Sequence, residues 1–375
     1  MFTNLKELIT TMQDENVCRE YLAKQRWIDG KAVCPFCGHT KCYSIEKGKR
    51  YKCADKTCYG VFSVTTKTIF HASNIPLSKW FMAIYLTSAN KKGISSYQLG
   101  KHIGIAQNSA WFMLHRIRKM MQVNNVQLEN IVESDLTYVG GKISNKSNKV
   151  RKEYAEKKEP FANKTSVLGL TERQGATIMT VVPEDQERMV DAFLRDNVKP
   201  QTTVVTDEGT QFKSLSDTFN HNTINHRQNE YARLHFHTNS IEGVFSHFKR
   251  MVVGTYHQLS YKHTQQYLNE FTYRFNSRKI KDADRFVATL QNINIRLPYK
   301  ILIASPDKVK KTIKEKMPNG MVQRKAVIQL LDGVIIGEYK SARDAERATG
   351  IHSSDIGRCA NGIYKQAGGY QWIFA

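Results

Sequence analysis

Residues 131–141, IVESDLTYVGG, set two carboxylates, Glu133 and Asp135, inside a run of strand-forming residues that a glycine pair then ends. A charge in an apolar strand must be paired or must bind a cation. Residues 202–210, TTVVTDEGT, lead from β-formers directly into Asp207, which is expected to project from a strand's carboxyl end. Its other reading is the N-cap of a following helix. Between the two lie the apolar runs SVLGLTE and ATIMTVVP and the helical stretch DQERMVDAFLRDN. The order is strand, strand, strand, helix, strand, then a short strand near NTIN and more helix, an α/β pattern. Neighbouring first and fourth strands would bring Asp135 and Asp207 together.

Residues 237–250, HTNSIEGVFSHFKR, add a third element. At 3.6 residues per turn, Ile241, Val244, Phe245, Phe248, Met251 and Val252 form one stripe, and Asn239, Glu242, Ser246 and Lys249 another. The helix is expected to pack by the first stripe and to offer an amide, a carboxylate, a hydroxyl and an ammonium from the second. Carboxylates from two strands and a helix can hold two Mg²⁺ (or Mn²⁺), which drive in-line displacement at a phosphodiester. Glu242 completes such a site. Asn239 offers its amide oxygen as the alternative ligand, and Lys249 and Arg250 are candidate phosphate contacts. Glu133 shares a face with Asp135 and is a further candidate ligand, whereas Glu208 points the other way.

The chain has 375 residues, with 56 Lys plus Arg against 34 Asp plus Glu, a formal charge of +22. An excess of that size calls for a polyanionic partner, most simply double-stranded DNA. No apolar run is long enough to cross a bilayer, so no membrane partner is expected. The start, MFTNLKELITTMQ, lacks the design of a signal peptide, and a cytoplasmic, nucleoid-associated protein is expected. In a reducing compartment the seven cysteines read as metal ligands or buried thiols. Cys34 and Cys37, then Cys53 and Cys58, form two corners able to close a tetrahedral Zn²⁺ site, the second wider than usual. Cys42 is a competing ligand, ranked below for want of a knuckle pattern. Within residues 76–122, Ser95-Ser96, Gly104 and the helix QNSAWFMLHRIRKMM outline a helix-turn-helix whose Arg116, Arg118 and Lys119 are candidate DNA contacts. The plainer reading is a helical bundle.

Several of these segments, in this order, resemble the zinc-ribbon DDE transposases of bacterial insertion sequences, the ISXO-like family. The resemblance runs from about residue 15 to 285 through CPFC, YKCADKTC, FSVTTKTIF, PLSKWFMAIYL, SDLTYVGGK, VVTDEGTQF, HTNSIEGVFSHFKRMVVGTYHQLS and YLNEFTYRFNSR. It implies an RNase H-like (retroviral integrase-like) core, divalent metal, and cutting and joining of DNA at transposon ends by at least a dimer. Asp135 and Asp207 match the first two catalytic aspartates. The third position falls on Asn239 or Glu242, with Glu242 favoured because Lys249 follows it by seven residues. Relatives often carry an acid after the first aspartate, where this chain has Leu136. Glu270, Arg274 and Arg278, spaced four apart, either ladder along their own helix or, as the resemblance implies, buttress the site or grip DNA.

Residues 326–375 have a separate logic. Asp332-Gly333 is expected to turn a hairpin, Ser341 and Asp344 to form a capping box, and Gly350 to end that helix. A second helix carries Arg358, a candidate DNA contact, and Trp372 reads as core. The unit resembles the small helix-turn-helix repeat appended to homing endonucleases. The expected order is thus a helix with zinc ribbon (1–75), helix-turn-helix (76–125), RNase H-like DDE core (126–300), basic linker (301–325) and a small DNA-binding module (326–375). The expected function is that of a DNA transposase. The alternatives are a catalytically inert, zinc-containing DNA-binding regulator and a nuclease that never joins strands.

Overall fold

The computed structural model describes residues 2–27, 30–122, 126–141, 143–145, 147–157, 164–182, 186–207, 209–224, 236–304, 326–331, 334–339, 341–361, 364 and 366–374. The chain forms two compact units, Met1–Thr312 and Ile313–Ala375.

The first unit opens with α1 (Leu5–Thr11) and α2 (Glu15–Arg26), whose starts are fixed by the Asn4 and Asp14 side chains accepting from the backbone N–H of Glu7 and Asn16. Strands β1 (Cys42–Ile45), β2 (Arg50–Cys53) and β3 (Val61–Phe62) form a small antiparallel sheet. Helices α3 (Leu77–Ala89), α4 (Ser96–Ile103) and α5 (Gln107–Met120) follow. Ser95 caps α4, and Gly104 ends it with φ 63°, the left-handed conformation that glycine takes without penalty.

Next come β4 (Ile131–Val139), α6 (Asn148–Lys157), β5 (Thr165–Glu172), β6 (Thr177–Val182), α7 (Gln186–Asn197), β7 (Thr203–Asp207), a 3₁₀ segment Thr210–Asp217, and β8 (Asn220–Ile224). Helix α6 occupies a stretch that reads as a polar, basic loop; its Lys, Arg, Glu and Ala residues are strong helix formers. The sheet order is β6-β5-β4-β7-β8, with β5 antiparallel to both β4 and β6, and β7 and β8 parallel to β4. Then follow α8 (Asn239–Met251), a π-helical turn Val252–Tyr256, and α9 (Tyr261–Asn276).

Alternation along the strands gives this sheet two buried faces. Val132, Leu168, Leu170 and Val204 pack with Val190 and Leu194 of α7 and with Phe212 and Leu215. Val139, Val167 and Met179 pack with Ile241, Val244, Phe245 and Phe248 of α8 and with Leu268 and Phe271 of α9. Burial on both sides is why the strands read as near-continuous apolar runs. Helix α8 lies close to the sheet at Gly169, where an added Cβ would come within 2.7 Å of both Ile241 Cδ1 and Phe245 Cε1.

Helices α10 (Asp282–Leu290) and α11 (Tyr299–Ile303) leave the sheet and rejoin the first helices. Phe286 is fully buried against the rings of Phe2, Tyr21 and Phe81. In space, therefore, the chain beyond residue 281 belongs with the N-terminal helical core, although in sequence it follows the sheet domain directly.

The second unit consists of β9 (Val327–Leu331), β10 (Val334–Tyr339), α12 (Ala342–Thr349), α13 (Ser353–Ala360) and β11 (Gln371–Phe374), with antiparallel order β10-β9-β11. The Ser341 hydroxyl accepts from the Asp344 N–H, Gly350 has φ 74°, and Trp372 is 2% exposed among Val327, Ala345 and Ile356. The Asp332-Gly333 turn and residues 305–325 of the linker lie outside the described residues. Among the described residues no helix is long and apolar enough to cross a membrane.

Gly169→Val should force α8 off the sheet and cost about 1–3 kcal/mol, the usual range for overpacking. The expected outcome is a lower urea midpoint at an unchanged slope.

Candidate active site and metal centre

The register of the central strands places the two aspartates. Glu133 of β4 pairs with Val205 of parallel β7. The paired stretch ends at Glu133 and Val205, and Asp135 and Asp207 each follow it by two residues on the two adjacent strands, at equivalent register positions. In-register residues of parallel strands point to one face, and Val139 shows that the odd-numbered side chains of β4 face α8. Both aspartates are half-buried. The Asp135 carboxylate accepts from the Leu136 N–H (2.6 Å), and Asp207 accepts from the Gly209 N–H (3.2 Å). Gly209, not Asp207, is the N-cap of the 3₁₀ segment that follows.

Helix α8 brings the third element over these strands. The antiparallel partner of Asp135 is Gly169, the residue on which Ile241 and Phe245 rest. Residue 242 follows Ile241 directly, so Glu242 leaves the helix beside the point of contact, in the first turn. It is exposed and accepts from the Thr238 hydroxyl at 3.2 Å. Asn239, the first residue of α8, and Lys249, nearly two turns beyond Glu242, are also exposed, as is Arg250. The buried side of α8 is Ile241, Val244, Phe245, Phe248 and Met251, the stripe expected from its periodicity.

Glu133 has a different task from metal ligation. Its side chain is fully buried and accepts from Arg173 Nε (2.8 Å), Ser240 Oγ (2.9 Å) and the backbone N–H groups of Ser240 (2.8 Å) and Ile241 (3.1 Å). His237 Nδ1 lies 3.3 Å away. The carboxylate thus meets orphan N–H groups and the positive end of the α8 dipole. Its signal in the sequence was an acid two residues before Asp135, on the same face, but nothing local named a helix start as its partner.

The cysteines behave as expected. Cys34 Sγ lies 3.7 Å from Cys58 Sγ, and Cys37 Sγ lies 3.6 Å from Cys53 Sγ. Four sulfurs around one zinc at about 2.3 Å would be about 3.8 Å apart by tetrahedral geometry. Backbone N–H groups of His39, Asp55 and Gly60 point at Cys37, Cys53 and Cys58. Burial pushes the Cys58 thiol up to about 12, so a thiolate there needs a cation beside it. Cys42 stands aside, turned to the His39 carbonyl at 3.6 Å. Among the described residues this quartet is the one group of three or more His, Cys, Asp or Glu side chains whose ligand atoms lie within 4.8 Å of one another. The carboxylate oxygens of Asp135, Asp207 and Glu242 do not all lie within that distance of one another.

Three arginines expected to touch DNA are buried instead. Arg118 is 1% exposed and gives its Nε to Glu270, itself fully buried, at 2.7 Å. Arg274 reaches the same carboxylate at 3.0 Å. Burial works against both charges of the Arg118–Glu270 pair. The pair nonetheless holds Arg118 above the ordinary arginine value, and Arg274 with Arg118 holds Glu270 below the ordinary carboxylate range. Arg116 is 8% exposed, its guanidinium 4.4 Å from the Phe112 ring, and burial lowers its pKa to about 10. Inward-facing guanidinium groups of this kind are core ties, not phosphate contacts. Lys119 is half-buried and donates to Gln122, while Arg278 is exposed over Phe275. In the second unit Arg358 donates to the Tyr364 hydroxyl at 3.0 Å. The exposed part of α5 is its first turn, Gln107, Asn108 and Ser109, which a search for basic residues passes over.

Residues 127–276 match the family described as the ISXO2-like transposase domain, and residues 13–59 match the transposase zinc-ribbon domain. A protein of the transposable element ISH50 in Halobacterium salinarum is 27% identical over 252 residues, which is 62% of this chain and 82% of the relative. A transposase-like protein of Haemophilus influenzae is 32% identical over 102 residues, 27% of this chain and 81% of the relative. A protein of Acanthamoeba polyphaga mimivirus described as an HNH endonuclease is 46% identical over 54 residues, 14% of each chain.

Purified chain should carry close to one zinc per molecule, released by a thiol-modifying reagent and read by a metallochromic dye. Cys53→Ser should abolish that zinc and lower the melting temperature, since metal binding in so small a sheet is folding free energy.

Proposed function

The chain belongs to the ISXO2-like transposases, and on that premise we propose that it cuts and rejoins DNA at the ends of an insertion sequence. The observation that carries this reading is the register that sets Asp135 and Asp207 at equivalent positions on adjacent strands, under a helix docked on Asp135's own partner, Gly169. The strand order, three antiparallel strands followed by two parallel to the first of them, supports an RNase H-like core. Asp135, Asp207 and Glu242, with Asn239 as the alternative third donor, form an oxygen-donor set that fits Mg²⁺ or Mn²⁺. Bound there, the ions would activate an attacking hydroxyl and stabilise the leaving oxygen. The chain's own part is to hold these side chains on two rigid strands and a packed helix. Lys249, on the exposed side of α8, is placed to meet a DNA phosphate.

DNA is held by other parts of the molecule. Helices α4 and α5, joined at Gly104, are read as a helix-turn-helix, with Gln107, Asn108 and Ser109 towards the bases. Lys249, Arg250 and Arg278 remain the exposed candidates of the first unit for the backbone, and Lys119, a further candidate, is half-buried. The zinc ribbon and the C-terminal module, through Arg358, add further contacts. The likeness of a 54-residue stretch to an HNH endonuclease is in keeping with a DNA-directed module. Holding two transposon ends together requires at least a dimer.

Asp135→Ala and Asp207→Ala should each abolish Mg²⁺-dependent cutting of a plasmid that carries the coding sequence with its flanking DNA, while binding in a gel-shift assay persists. A mutant that still cuts overturns the assignment. Wild-type protein that binds but never cuts is the inert regulator. Wild-type protein that cuts, but does not insert pre-cut ends into a target plasmid, is a hydrolytic nuclease.

A further inference from the structure

Helix α8 is anchored at both ends by a buried carboxylate. At its start the anchor is Glu133, on the strand that carries Asp135. At its far end the helix runs into the π-helical turn Val252–Tyr256, and the Tyr256 hydroxyl donates to Glu270 at 2.6 Å. Glu270 also takes Arg118 Nε of α5 at 2.7 Å and Arg274 at 3.0 Å. The Arg118 guanidinium lies 3.9 Å from the Tyr267 ring and 5.3 Å from the Tyr256 ring. Arg274 continues the chain of contacts to the Asn90 carbonyl, at the end of α3, at 2.6 Å. Gly93, in the turn that follows, approaches so closely that a Cβ there would lie 2.2 Å from the Tyr256 oxygen and 2.7 Å from Glu270 Oε1.

We propose that Glu270 is a positioning residue for DNA cutting: through Tyr256 it fixes the far end of the helix that carries Glu242 and Lys249, and through Arg118 it ties that helix to α5. The proposal rests on the DNA-cutting reading above. Its physical basis is geometric. A buried ion pair is a poor source of net stability compared with apolar packing, but it tolerates few alternative arrangements of its partners. Here the partners come from three places: α5, the π-helical turn, and α9. A displacement of α5 on DNA is therefore passed to α8 through direct contacts, without a soft intermediate. π-helical turns recur at functional sites, and this one begins where α8 ends.

The test is Tyr256→Phe, which removes one hydroxyl and keeps the ring on Arg118 and Tyr267. End binding is measured by gel shift and folding by thermal melting. Single-turnover cutting of the plasmid described above is followed across a Mg²⁺ titration. The expected result is a roughly ten- to hundredfold slower cut, the effect of a small misplacement of the reacting groups. A higher Mg²⁺ concentration for half-maximal rate should accompany it, at unchanged binding. Gly93→Ala, which presses on the same hydroxyl from outside the sheet domain, should reproduce that signature. If both variants cut at the wild-type rate with the wild-type Mg²⁺ requirement, the proposal is overturned. It is overturned equally if lost DNA binding or lost folding accounts for the whole deficit. Wild-type protein that fails to cut at all overturns the cutting reading itself, and the two failures are thus distinguished.

Discussion

A carboxylate with no access to water cannot stand alone, and Glu133 satisfies that requirement by taking the start of α8 as its partner. Two backbone N–H groups, a serine hydroxyl and Arg173 converge on it. Because Glu133 sits on the central strand, this contact fixes where the helix begins relative to the sheet. Ile241 and Phe245 then settle over Gly169, and the next polar residue, Glu242, comes out beside Asp135's strand. Removing the bare backbone at Gly169 or the charge at Glu133 would shift the same helix, from two independent directions.

What could be read from the residues alone depended on short-range regularity. The α8 stripe follows from one helical period: five of its six residues are the buried set of α8, and the sixth, Val252, is buried at the start of the π-helical turn. The cysteine corners are a matter of spacing along a few residues, and the sulfurs take tetrahedral separations. The Ser341 and Gly350 signals of α12 are equally local. The destinations of the arginines were not readable in this way. Arg118 finds its carboxylate 152 positions away, and a cation on a helix looks the same in sequence whether its partner is a phosphate or a buried acid. The role of Glu133 was hidden for the same reason, since its donors at the start of α8 lie more than a hundred residues on and Arg173 lies forty on. Likewise α10 and α11 follow the sheet domain in sequence but complete the first core in space, because Phe286 has its aromatic partners among residues 2–81.

The two candidate metal sites differ in how far the protein alone prepares them. Sulfurs in the ribbon already hold the separations of a tetrahedral shell, and burial penalises Cys53 and Cys58 as free thiolates. Such a site is built to be filled once and kept. The carboxylates are half-buried or exposed and more widely set, so hydration still shields their mutual repulsion. Ions that exchange with solvent, and that arrive with a polyanion already carrying counter-charge, suit the second arrangement better than the first.

The π-helical turn after Met251 has a steric consequence of its own. Each residue of an α-helix advances about 100° around its axis. A wider turn alters that winding, so the side chains after it do not continue the facing directions set before it. That offset lets Tyr256 look inward to Glu270 while Lys249 looks out to solvent. A sequence drifting towards regular α-helix here would swing the phenol round the cylinder and leave the acid one donor short. The irregular winding is therefore a rotational gauge, and selection on it would act on chain length in this turn as much as on residue type.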